Sequence, residues 1–224
     1  LKIGMDNDNI IATYGPFHPS SPLDISLGYD TTRSTAASPF FTGPKLTATR
    51  ISSMPDLAPA AKEGWGAVRL VVGHVAKIVN EHEPLLVTGT SGAGDFIYLV
   101  YVDATHIQIG YDHWGVGGKT SEPIAVDLEQ PLDIKLSTAA LYPLAFSKEW
   151  NDVPDETRKK LLSHTIVTVN NKVVLNYPSV AYSTSSNEIY LGSNPIGGSS
   201  CNPMFNGLIL TAQRLKIGAP LDSN

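Results

Sequence analysis

The sequence predicts an all-β fold, an antiparallel β-sandwich with little helix, on three observations. Short runs alternate apolar and polar residues with a period of two. Gly, Pro, Asn and Asp punctuate those runs. The length of 224 residues, with 19 Gly and 16 Pro, suits one large turn-rich β domain, or an ordinary domain and part of another.

In chain order, strands are expected at Arg69 to Val72 and Leu85 to Thr88, where β-branched and leucine side chains cluster. Gly89 to Gly94 then joins two strands, so its superficial likeness to a nucleotide loop carries no phosphate chemistry. The best strand pair is Phe96 to Val102 with Ile107 to Tyr111, turning at Asp103-Ala104-Thr105. In its second arm Ile107, Ile109 and Tyr111 share one face, while His106, Gln108 and Asp112 share the other, so one side should meet a core and one should be wet. A strand follows at Ile134 to Thr138. Pro154 to Ser163 is the one helical turn, or equally an insertion loop. Ile166 to Val169 and Val173 to Tyr177 form a hairpin around Asn170-Asn171, because Asn tolerates the positive φ that a tight turn demands. Strands at Glu188 to Leu191 and Phe205 to Ala212 complete the set.

The chain also aligns with itself at an offset of 164 positions without a gap. Between Leu23–Arg50 and Asn187–Arg214, ten of 28 positions are identical, among them Gly28/Gly192, Pro39/Pro203, Phe41/Phe205 and Gly43/Gly207. Gly and Pro have specific backbone demands, which makes those matches informative. The pattern continues upstream, with Ile3 to Asn7 over Val167 to Asn171. A period this long matches a whole sandwich domain, not a solenoid unit. Residues 1–51 are therefore expected to be the closing portion of a first copy, 52–66 a linker and 67–224 a complete second copy. A closing portion alone would expose apolar faces and strand edges, so it should be ordered only where it packs on the second copy.

Sixteen Lys+Arg against 21 Asp+Glu give a formal charge of -5, with no block of like charge, which argues against nucleic acid as a partner. No apolar run reaches the roughly 20 residues of a membrane-spanning helix. A first residue of Leu fits a segment of a longer protein. Cys201 is the single cysteine, so no intramolecular disulfide forms; its bland role is that of a small hydrophobe in a loop. The six histidines, His18, His74, His82, His106, His113 and His164, lack transition-metal spacing, and there is no Gly-x-Ser-x-Gly elbow.

The order Glu83 to Gly89, the Asp95 to Asp112 hairpin, the Thr165 to Tyr177 hairpin, Glu188 to Gly192 and finally Phe205-Asn206-Gly207-Leu208-Ile209-Leu210 resembles laminin-G-like jelly rolls of the concanavalin-A-like superfamily. The resemblance covers about Arg69 to Leu215 and implies a jelly-roll sandwich. It further implies a non-catalytic binding or adhesion module, directed at a carbohydrate or another protein, within a larger extracytoplasmic protein that is secreted, periplasmic or attached to the cell surface. Sandwiches also serve as structural spacers or assembly domains, and fold alone does not separate these roles. The same superfamily holds glucanases with Glu-x-Asp-x-x-Glu on one strand, since glycosidic cleavage needs two placed carboxyl groups. No Glu here has that spacing. Glu81 and Glu83 read as part of a turn-like segment, and Asp127 and Glu129 lack a third carboxylate. A glycan-cleaving enzyme with a non-standard pair is the remaining enzymatic alternative.

Asp112-His113-Trp114, followed by Gly115, Gly117 and Gly118, is the leading candidate surface. Trp114 would stack on a sugar, with Asp112 and His113 hydrogen-bonding. The structural alternative has Trp114 capping the sandwich edge, His113 satisfying a backbone group and the glycines serving a bulged turn. The loop from Asn194 to Cys201 is the second candidate, with Asn194 as its polar anchor. No cofactor is indicated by the residues themselves. The resemblance implies a rim calcium in many relatives, for which Asp95, Asp103 and Asp112 are candidates; Asp at hairpin ends equally serves turn chemistry.

Overall fold

The computed structural model describes residues 2–5, 9–13, 64–73 and 79–221. The chain divides into two units, Leu1 with Tyr14–Asp56 and Lys2–Thr13 with Leu57–Asn224, and every described residue belongs to the second.

Thirteen strands lie among the described residues: β1 Lys2–Met5, β2 Asn9–Thr13, β3 Val68–Gly73, β4 His82–Thr90, β5 Ala93–Tyr101, β6 His106–His113, β7 Gly117–Thr120, β8 Ile124–Ala125, β9 Leu132–Ser137, β10 His164–Val169, β11 Lys172–Pro178, β12 Ile189–Leu191 and β13 Leu208–Arg214. The first two pair as an antiparallel ribbon. One antiparallel sheet has the order β11-β10-β9-β3-β13; the other runs β12-β4-β5-β6-β7, with β8 also on β6. The sheets face one another, because a single apolar cluster draws Leu70, Ile134, Leu136 and Val167 from the first and Leu86, Ile97, Leu99, Ile109 and Tyr111 from the second. This is the expected antiparallel β-sandwich.

Each strand signal has a local cause. β3 alternates strictly, with Val68, Leu70 and Val72 buried and Arg69, Val71 and Gly73 half-exposed. In the β5–β6 hairpin, Ile97, Leu99 and Tyr101 pair with Tyr111, Ile109 and Ile107 on the inner face. Asp103 closes its turn, its Oδ1 accepting the N–H groups of Thr105 at 2.7 Å and His106 at 2.8 Å. Asn170 and Asn171 have φ of 49° and 64°, the conformation that a two-residue hairpin turn with matching twist requires. Pro84 sits within β4 where β12 offers no partner, since β12 pairs only with Leu86–Thr88. On the β5 side the register slips between Pro84 and Leu86, the kind of position at which a sheet tolerates a missing N–H.

Two expectations are corrected in detail, and one open alternative is decided. Glu83 is inside strand β4, not in a turn, and is fully buried. Phe205 lies outside the last strand, which begins at Leu208. The 154–163 segment is a true helix, α1 Asp155–Ser163, opened by Pro154 and acidic in its first turn. Ion pairs Arg158–Asp155 and Lys159–Glu156 run along it, and Leu161 is its buried anchor.

The β1–β2 ribbon occupies the place that the internal repeat assigns to a hairpin. Its irregularity between Ile3 and Gly4 falls 164 positions (167 − 3) before the one between Val167 and Thr168 in β10–β11. The rest of the expected first copy, from residue 14 to 51, and the linker up to residue 63, lie outside the described residues.

Candidate binding site

The inward row of β6 ends at His113, directly across from Asp95 on β5. Both side chains are buried where the core gives way to the sandwich end, Asp95 at 1% and His113 at 8% exposure. Asp95 Oδ1 accepts from His113 Nδ1 at 2.7 Å and from the Tyr111 hydroxyl at 2.8 Å. Its Oδ2 accepts the backbone N–H of Tyr182 at 3.3 Å. The Tyr182 ring lies flat on the imidazole, 4.3 Å between centroids at 4°, and its hydroxyl donates to the Trp114 carbonyl at 2.9 Å. Burial raises the Asp95 pKa, and hydrogen bonds from His113 and Tyr111 oppose that shift. Three donors thus converge on its two oxygens and offset part of the cost of burying them.

His113 therefore has a fixed ring plane and one occupied nitrogen. It lines a half-open groove of about 380 Å³ together with Tyr111, Val116, Gly117, Tyr177 and Ser179. The Tyr111 and Tyr177 rings meet at 6.0 Å and 50°, while Val116 is 79% exposed at the rim. Gly115 and Gly117 take φ of 78° and 97°, so the loop between β6 and β7 turns back tightly and carries Val116 to the rim. An aromatic wall with one rigid polar group suits capture of a small polar ligand.

The four site residues expected from sequence do not converge here. Alternation along β6 sends His113 inward and its neighbours Asp112 and Trp114 outward, where they join the opposite face of the sheet. Trp114 is half-buried and tilted against Phe96, with 5.7 Å between ring centroids. It packs on a small second cluster of Val87, Phe96, Tyr98, Val100, Ile196 and Cys201. Asp112 accepts a short hydrogen bond from the Ser200 hydroxyl. Asn194 is buried and serves its own loop, Nδ2 donating to the carbonyls of Gly198 at 2.7 Å and Cys201 at 3.1 Å and Oδ1 accepting the Gly197 N–H at 3.2 Å. Asp112, Trp114 and Asn194 thus share the outer face and hold the 193–204 loop on it, while His113 alone reaches the groove. The expected backbone partner for His113 is replaced by the Asp95 carboxylate.

Tyr111, Tyr177 and Tyr182 were not singled out as site residues by sequence. Only the inward alternation of Tyr111 hinted at it; Tyr182 sits 87 residues from Asp95 in a segment without strand periodicity.

The carboxylates are individually engaged. Burial pushes Glu83 up to about 7, against hydrogen bonds from Asn206. With Glu81 and His82 it clasps the end of the 193–206 loop. Asn202 Nδ2 donates to Glu81 at 2.6 Å, its N–H to the His82 carbonyl at 2.7 Å, and the Asn206 N–H to Glu83 at 3.2 Å. Asp95, Asp103 and Asp112 each answer to their own donors, and among the described residues no group of three His, Cys, Asp or Glu side chains is placed to hold a metal ion. No helix among the described residues is long and apolar enough to cross a membrane.

The two facing antiparallel sheets make this chain a β-sandwich, the fold class that its sequence led us to expect. No family model and no curated protein matches the sequence. Similar solved structures include the CBM40 of a Ruminococcus gnavus IT-sialidase bound to alpha2,3 sialyllactose, at 13% identity over 70% of this chain and 80% of that one, TM-score 0.41. Sheep galectin-11 in complex with glycerol is similar at 14% identity over 66% and 88% of the two chains, TM-score 0.35. Domains LG4-5 of the mouse laminin alpha1 chain match at 13% identity, TM-score 0.39, over 74% of this chain and 41% of that one. The likeness is one of fold.

Proposed function

We propose that this chain is a non-catalytic binding module whose ligand is a carbohydrate seated in the groove beside His113. The observation that carries the reading is the imidazole itself: clamped through Nδ1 by Asp95, stacked on Tyr182, and lining an open groove with Tyr111 and Tyr177. Sugars are held by packing their C–H faces on aromatic rings while rigid polar groups meet their hydroxyls. Asp95 has no exposed oxygen to lend to bond cleavage, and Glu83 is sealed in the core, which supports binding over hydrolysis. Membership of a longer extracytoplasmic protein belongs to the same proposal.

The test is a glycan array probed with the whole chain, His113→Phe and Trp114→Ala. His113→Phe keeps a ring on Tyr182 and removes both nitrogens, so it should lose binding while circular dichroism stays that of the parent. Trp114→Ala, on the other face, should retain it. A parent that binds no glycan, or a His113→Phe variant that binds as the parent does, overturns the reading. A spacer or assembly role would draw instead on Leu144 and Phe146, 84% and 102% exposed. Concentration-dependent association in sedimentation, dissolved by Phe146→Ser, would favour that role.

A further inference from the structure

We propose that the groove selects a neutral, hydroxyl-donating ligand: an uncharged glycan in preference to a sialylated, sulfated or uronic one. The inference rests on the carbohydrate reading above and narrows it.

Its first support is the direction of the hydrogen bonds around the groove. A carboxylate only accepts, so the proton shared between Asp95 Oδ1 and His113 at 2.7 Å belongs to Nδ1. In a neutral imidazole the other nitrogen, Nε2, is then a lone pair. Two serines stand on the same wall. Ser163 Oγ donates to the Lys159 carbonyl at 2.8 Å. Thr165 Oγ1 donates to Thr138 Oγ1 at 3.2 Å and lies 2.9 Å from Ser179 Oγ. His113, Ser163 and Ser179 all line the groove, and the acceptor fixed by geometry is His113 Nε2, opposite the Nδ1 that Asp95 holds.

The second support is charge. Among the described residues lining the groove, none is Lys, Arg, Asp or Glu. A carboxylate or sulfate entering it would give up water and face lone pairs with no cation to pair with, an uncompensated cost. A sugar hydroxyl meets the same lone pairs as a donor. Tyr177 and the exposed Val116 side chain supply the apolar surface for the ring's C–H face.

The experiment is a calorimetric titration with matched pairs: lactose against 3′-sialyllactose, and methyl glucoside against methyl glucuronide. The parent chain should bind the neutral member about tenfold or more tightly than its acidic counterpart, the size of effect that an unpaired polar group produces. Val116→Lys, at an exposed position that does not test folding, places a cation on the rim and should shift the preference toward the acidic member. Long-range nitrogen NMR on the His113 ring should show the proton on Nδ1. Equal or tighter binding of the acidic sugar, or a proton on Nε2, overturns the neutral-ligand inference while leaving the carbohydrate reading intact. Binding of no sugar at all removes both.

Discussion

Replacing Glu83 with Gln should make the protein more stable at alkaline pH and erase much of its pH dependence between pH 4.5 and 7. Glu83 is fully buried on the inner face of β4. Burial raises its pKa from 4.5 to about 7, Glu81 adds to the shift, and hydrogen bonds from Asn206 and Gly207 oppose it. Tyr101, pushed upward by burial and by Glu83 itself, is the titratable neighbour on β5. The folded state therefore holds its proton more tightly than the unfolded chain does. Stability from this group is fully present below pH 4.5 and is lost as pH rises through about 7. The slope approaches 1.4 kcal/mol per pH unit, and a shift of this size amounts to about 3 kcal/mol in all. Gln keeps a carbonyl acceptor for the Asn206 N–H but puts an amide where the other oxygen meets Asn206 Nδ2 at 3.4 Å, and losing that contact costs about 1 kcal/mol. At pH 8 the net gain should be about 2 kcal/mol, with little difference from the parent at pH 4.5. Urea denaturation of both proteins at half-unit steps from pH 4.5 to 8 measures it. Asp95 is also raised and Asp103 lowered, but both are present in parent and variant and cancel in the difference. Parallel stability curves, or a Gln variant less stable than the parent at pH 8, would refute the reasoning.

Gly110→Ala should destabilise by about 1–3 kcal/mol through overpacking, because a Cβ there would lie 2.2 Å from the Tyr98 ring, itself stacked on His82 at 4.7 Å; a thermal scan with near-ultraviolet dichroism reports both stability and the tyrosine environment. Cys201 is buried and its thiol is pushed up to about 12 by burial, so it should resist a disulfide reagent at pH 8 and react only at the rate of unfolding; rapid labelling of the folded protein would contradict this. Asp103, held down to about 2 by hydrogen bonds from Thr105 and His106, should contribute stability above the ordinary carboxylate range that is lost as pH falls through about 2. Asp103→Ala should accordingly lower the melting temperature at pH 7 and much less at pH 2.

Local sequence was sufficient wherever a structural demand is met by neighbours a few residues apart. The Asn170-Asn171 turn, the Asp103 turn and the inward rows of β5 and β6 were legible because φ preference, side-chain-to-backbone hydrogen bonding and two-residue alternation are short-range properties. The same alternation, carried to the end of β6, already separates His113 from Asp112 and Trp114. Tertiary structure alone decided the rest. Asp95 is a turn-flanking acid in sequence and becomes the anchor of His113 only because β5 and β6 register them as partners. The distant Tyr182 closes the pair because the chain after β11 crosses that end of the sandwich. Asn194 turned from ligand contact into loop clamp for a like reason: burial obliges its amide to find partners, and the nearest are the carbonyls of Gly198 and Cys201. Buried polar groups take whichever donors and acceptors the folded backbone brings within 3 Å or so, and that proximity is a property of sheet pairing, not of spacing along the chain.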